Sequence, residues 1–420
     1  MLELHVMVES FFWSVVMKRN VFTLISVALI ICLLDRGDLK ALSKVHSMSE
    51  PASLSLVISE VPDGAASLKN HSVFVGEKKV EGVEPPENCC LCETEILLAG
   101  DDRDIARAVY LLKAGELVAV PTETVYGLGA DARNPEAVRK IFTVKGRPAS
   151  HPVIVHIASF EKLPEWVTSI PDQAKMLADA FWPGPLTMVF NKRDDVDSVA
   201  TGGLPTIAIR VPQHPVFRQV LELANIGVAA PSANKHKYVS PTCAQHVLDD
   251  FPAGEIAAVL DGGECDEGTE STMVGWKEEG VPEIWRPGPI SKEQLEAVLG
   301  VSVKPYYKHG ESVSGNMLVH YQPKTKVVLM SLDEIKAYLG CDESVKNVAV
   351  LYYSPLGECE VFARESMRLS NIKKQYAHCM YASLRDADKL GVDLIIIEVP
   401  PAGDEWVDVH ERLGKTTTYE

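Results

Sequence analysis

Leu117-Val118-Ala119-Val120-Pro121-Thr122-Glu123-Thr124-Val125-Tyr126-Gly127-Leu128-Gly129 runs from an apolar tetrad into a loop of hydroxyls and glycines. A short unbroken apolar run of this kind is a buried strand, and proline with threonines ends it. Upstream, Ile105, Ala108, Val109 and Leu112 recur at helical spacing and Gly115 closes that helix. Downstream, Asn134-Pro135-Glu136 opens another helix with a cap, a first-turn proline and an acid at the positive dipole end. That helix turns Val138, Ile141, Phe142 and Val144 towards a core and ends at Lys145-Gly146. Helix, strand, loop and helix in succession predict an α/β domain.

The pattern continues. Strands are expected at 152–157, 186–190, 206–211, 227–230, 257–260 and 271–274, with helices near 171–180 and 215–224. Several of these strands are joined by connections too short for a helical crossover, so the sheet should be mixed. Ser291 and Gln294 have capping-box spacing and start a last helix that ends at Gly300. From 301 to 325 no period is legible, which reads as an interdomain linker. A second, smaller α/β unit follows over 326–420: strands at 327–330, 348–352 and 393–397, a capped helix from Ser331, and a long amphipathic helix around 372–390.

Residues 1–100 read differently. The run 21–34 is apolar, preceded by Lys18-Arg19 and closed by Asp35-Arg36. Fourteen residues make a helix of about 21 Å, short of the ~30 Å hydrocarbon core, so a targeting segment is favoured over a membrane anchor. Glu3 and Glu9 weaken a standard organellar transit signal, which leaves cytoplasm, mitochondrion or plastid open as compartments. From about 36 to 100, Ser, Glu, Pro and Gly recur without a period, as in a tail, and order is expected from Asp101. Cys89 and Cys92 have the spacing of half a zinc site, but the next cysteine is Cys243, so a reduced, structureless segment is the better reading.

The chain has 420 residues, nine scattered cysteines and a net charge of −17. The cysteine usage suits a reducing compartment, and the charge argues against a general polyanion-binding surface while allowing a local basic cleft.

Four clusters sit where strands give way to loops, the usual ligand crevice of α/β sheets. They are the 122–129 loop; Lys145 and Arg147 with His151 and His156; Thr206 with Arg210; and Ser232-Ala233-Asn234 continuing to Ser240 and Thr242. Singly, each has a plain structural alternative. The glycines could only shape a turn, Lys145 and Arg147 could only answer a helix dipole, and Arg210 could be the solvent side of an edge strand. There is neither a P-loop nor a dinucleotide fingerprint.

In combination and in this order, the segments at 121–129, 145–148, 185–190, 207–212, 231–242, 271–274 and 285–288 resemble the YrdC-like domain of threonylcarbamoyl-AMP synthases. The resemblance covers about 101–300, and the 315–323 stretch with the unit after it resembles the linker and C-terminal domain of the longer members. It implies a YrdC-like twisted mixed sheet with a concave active-site face and a Rossmann-like second domain. It implies an enzyme joining L-threonine, bicarbonate and ATP into L-threonylcarbamoyladenylate and pyrophosphate, with Mg2+ accompanying ATP and no metal held by protein side chains. The product would pass to a tRNA threonylcarbamoyltransferase, with at most weak tRNA or double-stranded RNA contact and no stable membrane insertion.

By the same resemblance, Thr124, His156, Arg210, Ala230 and Ser271 match the threonine site. Arg147, His151, Thr206, Ser232, Ser240, Arg286 and Tyr321 match positions around ATP, while Lys145, Arg147 and Asn234 match the signatures near the reacting phosphates. Tyr321 would reach in from the linker as a lid. Two departures stand out: His151 where the family usually has asparagine, and His236-Lys237 where it has a small serine-glycine pair. Two other classes compete with the enzyme, a double-stranded RNA-binding module without enzyme activity and a carbamoyl-transfer maturation factor. The acidic balance opposes the first, and no zinc-finger or acylphosphatase-like segment supports the second.

Overall fold

The computed structural model describes residues 93–278, 280–306, 320–340 and 344–417. The apolar run at 21–34, the Cys89–Cys92 pair and most of the 301–325 linker lie outside them.

The apolar tetrad is strand β2 (Val118–Val120), and its neighbours explain its composition. Leu117 and Ala119 join a core cluster on one face, while Val118 and Val120 join another on the opposite face. A strand covered on both sides has no use for polar alternation. On the Val118 side pack α1 (Asp102–Lys113) and α4 (Pro215–Ala224); on the Ala119 side pack α2 (Pro135–Lys145), α3 (Asp172–Phe181) and α6 (Lys292–Leu299).

The ten-stranded sheet has the order β1-β8-β2-β3-β7-β4-β6-β5-β9-β10. Its other strands are β1 (Glu95–Leu98), β3 (Gly127–Asp131), β4 (Ile154–His156), β5 (Leu186–Asn191), β6 (Thr206–Arg210), β7 (Val228–Ala229), β8 (Ala258–Asp261), β9 (Thr272–Glu278) and β10 (Val281–Arg286). Pairing is parallel at β1·β8, β2·β8, β4·β6 and β5·β9, and antiparallel elsewhere, so the sheet is mixed as expected.

Alternation along β4 and β6 builds the site. Val155, Ile207 and Ile209 enter the main core, whereas Ile154, His156, Ala208 and Arg210 point to the other face. Register places His156 opposite Arg210. In that half of the sheet the apolar cover of the second face is, among the described residues, a small cluster of Ile154, Val189, Met273 and Trp285, which leaves a hollow.

Two expectations are corrected. Order begins before Asp101, because β1 pairs with β8 as an edge strand; it is only four residues long, with Ile96 and Leu98 exposed on its outer face, so no periodic pattern marked it. The segment read as loop through Gly129 is instead strand β3 from Gly127 onward. Its glycines concealed it. A Cβ on Gly129 would lie 3.0 Å from both the Val118 oxygen and Val228 Cγ1, and one on Gly127 would lie 3.0 Å from Ala230 Cβ. Close approach of flanking strands selects glycine here, against ordinary strand propensity.

The second sheet is wholly parallel, in the order β11-β14-β12-β13: β11 (Val327–Met330), β14 (Leu394–Glu398), β12 (Lys346–Tyr352) and β13 (Ala363–Arg368). Helix α7 (Leu332–Gly340) covers one face, and α8 (Lys373–Lys389) with α9 (Val407–Thr416) covers the other. The core on the α8 side also contains Val125, Val239 and Tyr321, so it is continuous with residues beside the hollow of the first sheet.

Candidate active site

The 122–126 loop is ordered by its own hydroxyls. Thr122 Oγ1 accepts from the amides of Thr124 and Val125 at 3.1 Å and donates to the Val125 carbonyl at 2.7 Å. Its single proton is thereby placed, so in the 2.8 Å contact between the two threonine hydroxyls Thr124 is the donor. Thr124 Oγ1 in turn accepts from Arg210 Nη1 at 2.9 Å.

Arg210 is fully committed to this corner. Its Nη2 pairs with Glu123 Oε1 at 2.6 Å and its Nε donates to the Gly184 carbonyl at 3.2 Å, while Glu123 Oε2 accepts from the Gln213 amide. Both side chains are buried. Three of five guanidinium protons are thus engaged, which leaves two for a ligand carboxylate. His156, packed on the Phe217 ring at 5.3 Å, is held near a pKa of about 3 by burial and by Arg210, so its imidazole is neutral. Its buried Nδ1 has no partner among the described residues.

Across the hollow, Arg286 donates to both the carbonyl and the hydroxyl of Ser271 at 2.9 Å, and Ser271 Oγ also meets Thr187 Oγ1 at 2.7 Å. Arg147 follows Gly146, whose φ of 65° ends α2 in the left-handed region and redirects the chain. Burial lowers its pKa to about 10, aided by Arg286, and its Nε has no partner among the described residues. Glu270 accepts from Ser240 Oγ at 2.6 Å, from Arg412 Nε at 2.8 Å and from the Tyr381 hydroxyl at 3.0 Å. Burial would raise this carboxyl, but Arg412 and Arg286 bring it down to about 2.

The cavity between these groups is about 40 Å³. That holds a water or so, whereas drug-sized ligands occupy ~300–1,000 Å³. His320 and Tyr321 fill the remainder, their rings 4.1 Å apart. Tyr321 has φ of 62°, a left-handed conformation that costs a bulky residue about 1–3 kcal/mol. Its ring stacks on Tyr381 and lies under Arg412, and its buried hydroxyl has no partner among the described residues.

Of the residues singled out from sequence, Thr124, Arg147, His156, Arg210, Ala230, Ser232, Ser271, Arg286 and Tyr321 line the cavity. Five do not. Lys145 donates to the carbonyl of Ser232 at 2.5 Å and to that of Asn234, bracing the loop. Asn234 closes the same loop through Nδ2 to the carbonyls of Lys235 and Tyr238. Ser240 stands behind Glu270. Thr206 pairs with Asn191 at the opposite end of β6 from Arg210. His151 lies outside, 5.7 Å from the His236 ring.

Sequence reasoning missed Glu123, Glu270, His320 and Arg412. Glu123 was within the quoted loop and Glu270 adjoins Ser271, so proximity to chosen residues was the available signal. Nothing in the sequence links Arg412 to a position 142 residues earlier.

With three arginines against one carboxylate in its lining, the cavity suits an anionic ligand, and its Thr124–Arg210 corner suits a small carboxylate. Residues 110–288 match the Sua5–YciO–YrdC family model, described as telomere recombination, and residues 290–418 match the threonylcarbamoyl-AMP synthase C-terminal domain. The threonylcarbamoyl-AMP synthase of Pyrococcus abyssi is 39% identical over 325 residues, spanning 74% of this chain and 93% of its own length. That of Bacillus subtilis is 37% identical over 329 residues, spanning 76% and 94%. The crystal structure of P. abyssi Sua5 complexed with L-threonine is similar with a TM-score of 0.70 at 35% identity, covering 78% of this chain and 99% of that one.

Proposed function

The chain belongs to the threonylcarbamoyl-AMP synthase family, and from that premise we propose that it makes L-threonylcarbamoyladenylate from L-threonine, bicarbonate and ATP. The names of the curated relatives favour this over an RNA-binding module. The observation that carries the reading here is the pairing of a carboxylate-sized corner at Arg210 and Thr124 with a polyanion side at Arg147 and Arg286.

Threonine's carboxylate takes the open N–H groups of Arg210; that threonine is the substrate is supported by the P. abyssi structure, which is a complex with L-threonine. The neutral His156 ring and Thr124 meet its polar groups. Its amine, freed of a proton, takes up carbon dioxide from bicarbonate with release of water. The carbamate oxygen then attacks the α-phosphorus of ATP, the bond to the β-phosphate oxygen breaks, and pyrophosphate leaves. No protein nucleophile is required, so the work is positioning and charge stabilisation. Arg147 and Arg286 neutralise charge on the departing phosphates, while Lys145 and Asn234 keep the Ser232 loop in shape beside them.

Among the described residues no group of His, Cys, Asp and Glu could hold a metal ion, and the one carboxylate lining the cavity is already taken by Arg412, Ser240 and Tyr381. Mg2+ is proposed to accompany the phosphates of ATP, where it would offset oxygen charge. Because the cavity is about 40 Å³, ATP can enter only when Tyr321 withdraws.

No helix among the described residues is long and apolar enough to cross a membrane. The proposed site of action is the cytoplasm, or a mitochondrion or plastid where the 21–34 segment directs the chain; the intact mass of protein isolated from its source distinguishes processed from unprocessed chain. The activity is tested by supplying ATP, threonine and bicarbonate to the purified chain and following pyrophosphate. Release that ignores threonine would contradict the reading.

A further inference from the structure

Glu270 and Arg412 meet across 142 residues of sequence, one at the entry to β9 in the first sheet, the other on α9 in the second unit. The contact is buried: Arg412 is completely so, and the Glu270 side chain nearly so. Arg412 Nη2 also donates to the Pro287 carbonyl at 2.9 Å, beside Arg286, and Nη1 meets Glu411. The segment Glu270-Ser271 is therefore gripped from two sides, by Arg412 from the second unit and by Arg286 from the first. Tyr381, from α8, supplies a further donor to the same carboxylate.

We infer that Arg412 is a positioning residue for the nucleotide half of the site, holding the Glu270 carboxylate in one orientation so that Glu270 can fix Ser240 and border the cavity. The inference rests on the proposed synthase activity. It gives the second unit a task in catalysis that its own parallel sheet does not reveal. Two features separate this role from generic interface packing. Glu270 itself lines the cavity, and the ring of Tyr321, which fills it, rests on Arg412 and Tyr381. The Arg210–Glu123–Thr124 corner has its own donors and shares none with Glu270.

The groups facing Glu270 are Arg412, Arg286, Ser240, Tyr381, Tyr321 and His320, with Glu411 and Lys415 behind Arg412. With Arg412 present the carboxyl is ionised at every working pH. Without it, burial is opposed by Arg286 and by the Ser240 and Tyr381 hydroxyls, and the carboxyl rises towards the working range. A carboxyl raised in the folded state binds protons more tightly there than when unfolded, so stability must fall as pH increases through the window above its unfolded value.

The experiment compares wild type, Arg412→Met, Glu270→Gln/Arg412→Met and Arg412→Lys by thermal melting and by threonine-dependent pyrophosphate release from pH 5 to 8. Expected for Arg412→Met is a melting temperature higher at pH 5 than at pH 7 relative to wild type. Its kcat/KM for ATP should change with pH over the same range, and both effects should vanish in the double variant. Persistence in the double variant would assign them to Glu411 and overturn the inference, as would profiles parallel to wild type. If Arg412→Met does not fold, Arg412→Lys decides. It should raise KM for ATP roughly tenfold and KM for threonine less than about twofold. Equal changes in both, or none in either, overturn the inference. An inactive wild type with the expected melting behaviour would count against the synthase reading and leave the Arg412–Glu270 coupling standing.

Discussion

Tyr321 stacks on Tyr381 with ring centroids 5.5 Å apart and planes inclined by 28°. Through this contact a residue at the mouth of the first sheet's cavity belongs to the core of the second unit.

Replacing Tyr321 with alanine empties the volume it occupies and removes that stack. Since Tyr321 withdraws to admit ATP and then closes over it as a lid, losing that cover should lower apparent affinity for ATP roughly tenfold, the ~1.4 kcal/mol of one aromatic contact, with threonine affected much less. Steady-state KM values for both substrates check this. An equal loss for both would remove Tyr321 from the nucleotide side.

Glu123→Ala strips a buried arginine of its charge partner. The pair's side chains are only 4% and 2% exposed, so unfolding free energy should drop by about 3–5 kcal/mol in denaturant titration. KM for threonine should rise with it, since Arg210 then loses its orientation. A loss below about 1 kcal/mol would show that solvent reaches the pair.

Lys145 and Arg147 are both assigned to the phosphate side in the proposed reaction, yet their variants should differ. Lys145→Ala removes the donor from two loop carbonyls and should cost about 1–3 kcal/mol of stability as well as turnover. Among the described residues, Arg147 bonds to the Pro152 carbonyl and its buried Nε meets no acceptor. In Arg147→Ala, turnover should therefore fall with stability nearly intact. Circular-dichroism melts beside pyrophosphate assays separate the two.

His151 and His236 are both lowered below the ordinary histidine value, by burial first and then by Arg147, with His236 at about 4. At neutral pH both rings are uncharged. A polyphosphate arriving beside them stabilises the protonated forms and raises both pKa values, so binding should take up protons as pH falls below about 6.5. Calorimetry of ATP binding in two buffers of different ionisation enthalpy measures the uptake. His151→Asn should reduce it; an uptake unchanged in that variant and in His236→Ser would place the phosphates elsewhere.

Much of the architecture was legible because burial on both faces writes itself as apolar runs. The run 117–120 and the β14 segment Leu394-Ile395-Ile396-Ile397 are examples. The Ser291–Gln294 capping box also formed where its spacing placed it. β3 was not legible, since Gly127 and Gly129 answer to neighbouring strands and not to their own propensity. Nor was β13, an edge strand of mixed polarity whose residues are mostly exposed or half-buried. In the site, residues next to turns and strand ends could be picked out in advance. Glu270's ties to Arg412 and Tyr381 depend on how two sheets meet, and no local spacing encodes that.

The most direct test is the reaction itself: incubate the purified chain with ATP, bicarbonate and L-threonine, and follow pyrophosphate and the adenylate by mass spectrometry. Pyrophosphate release should require threonine, with L-threonylcarbamoyladenylate formed in equal amount. Well-folded protein that releases none, or that releases it equally without threonine, would contradict the synthase reading.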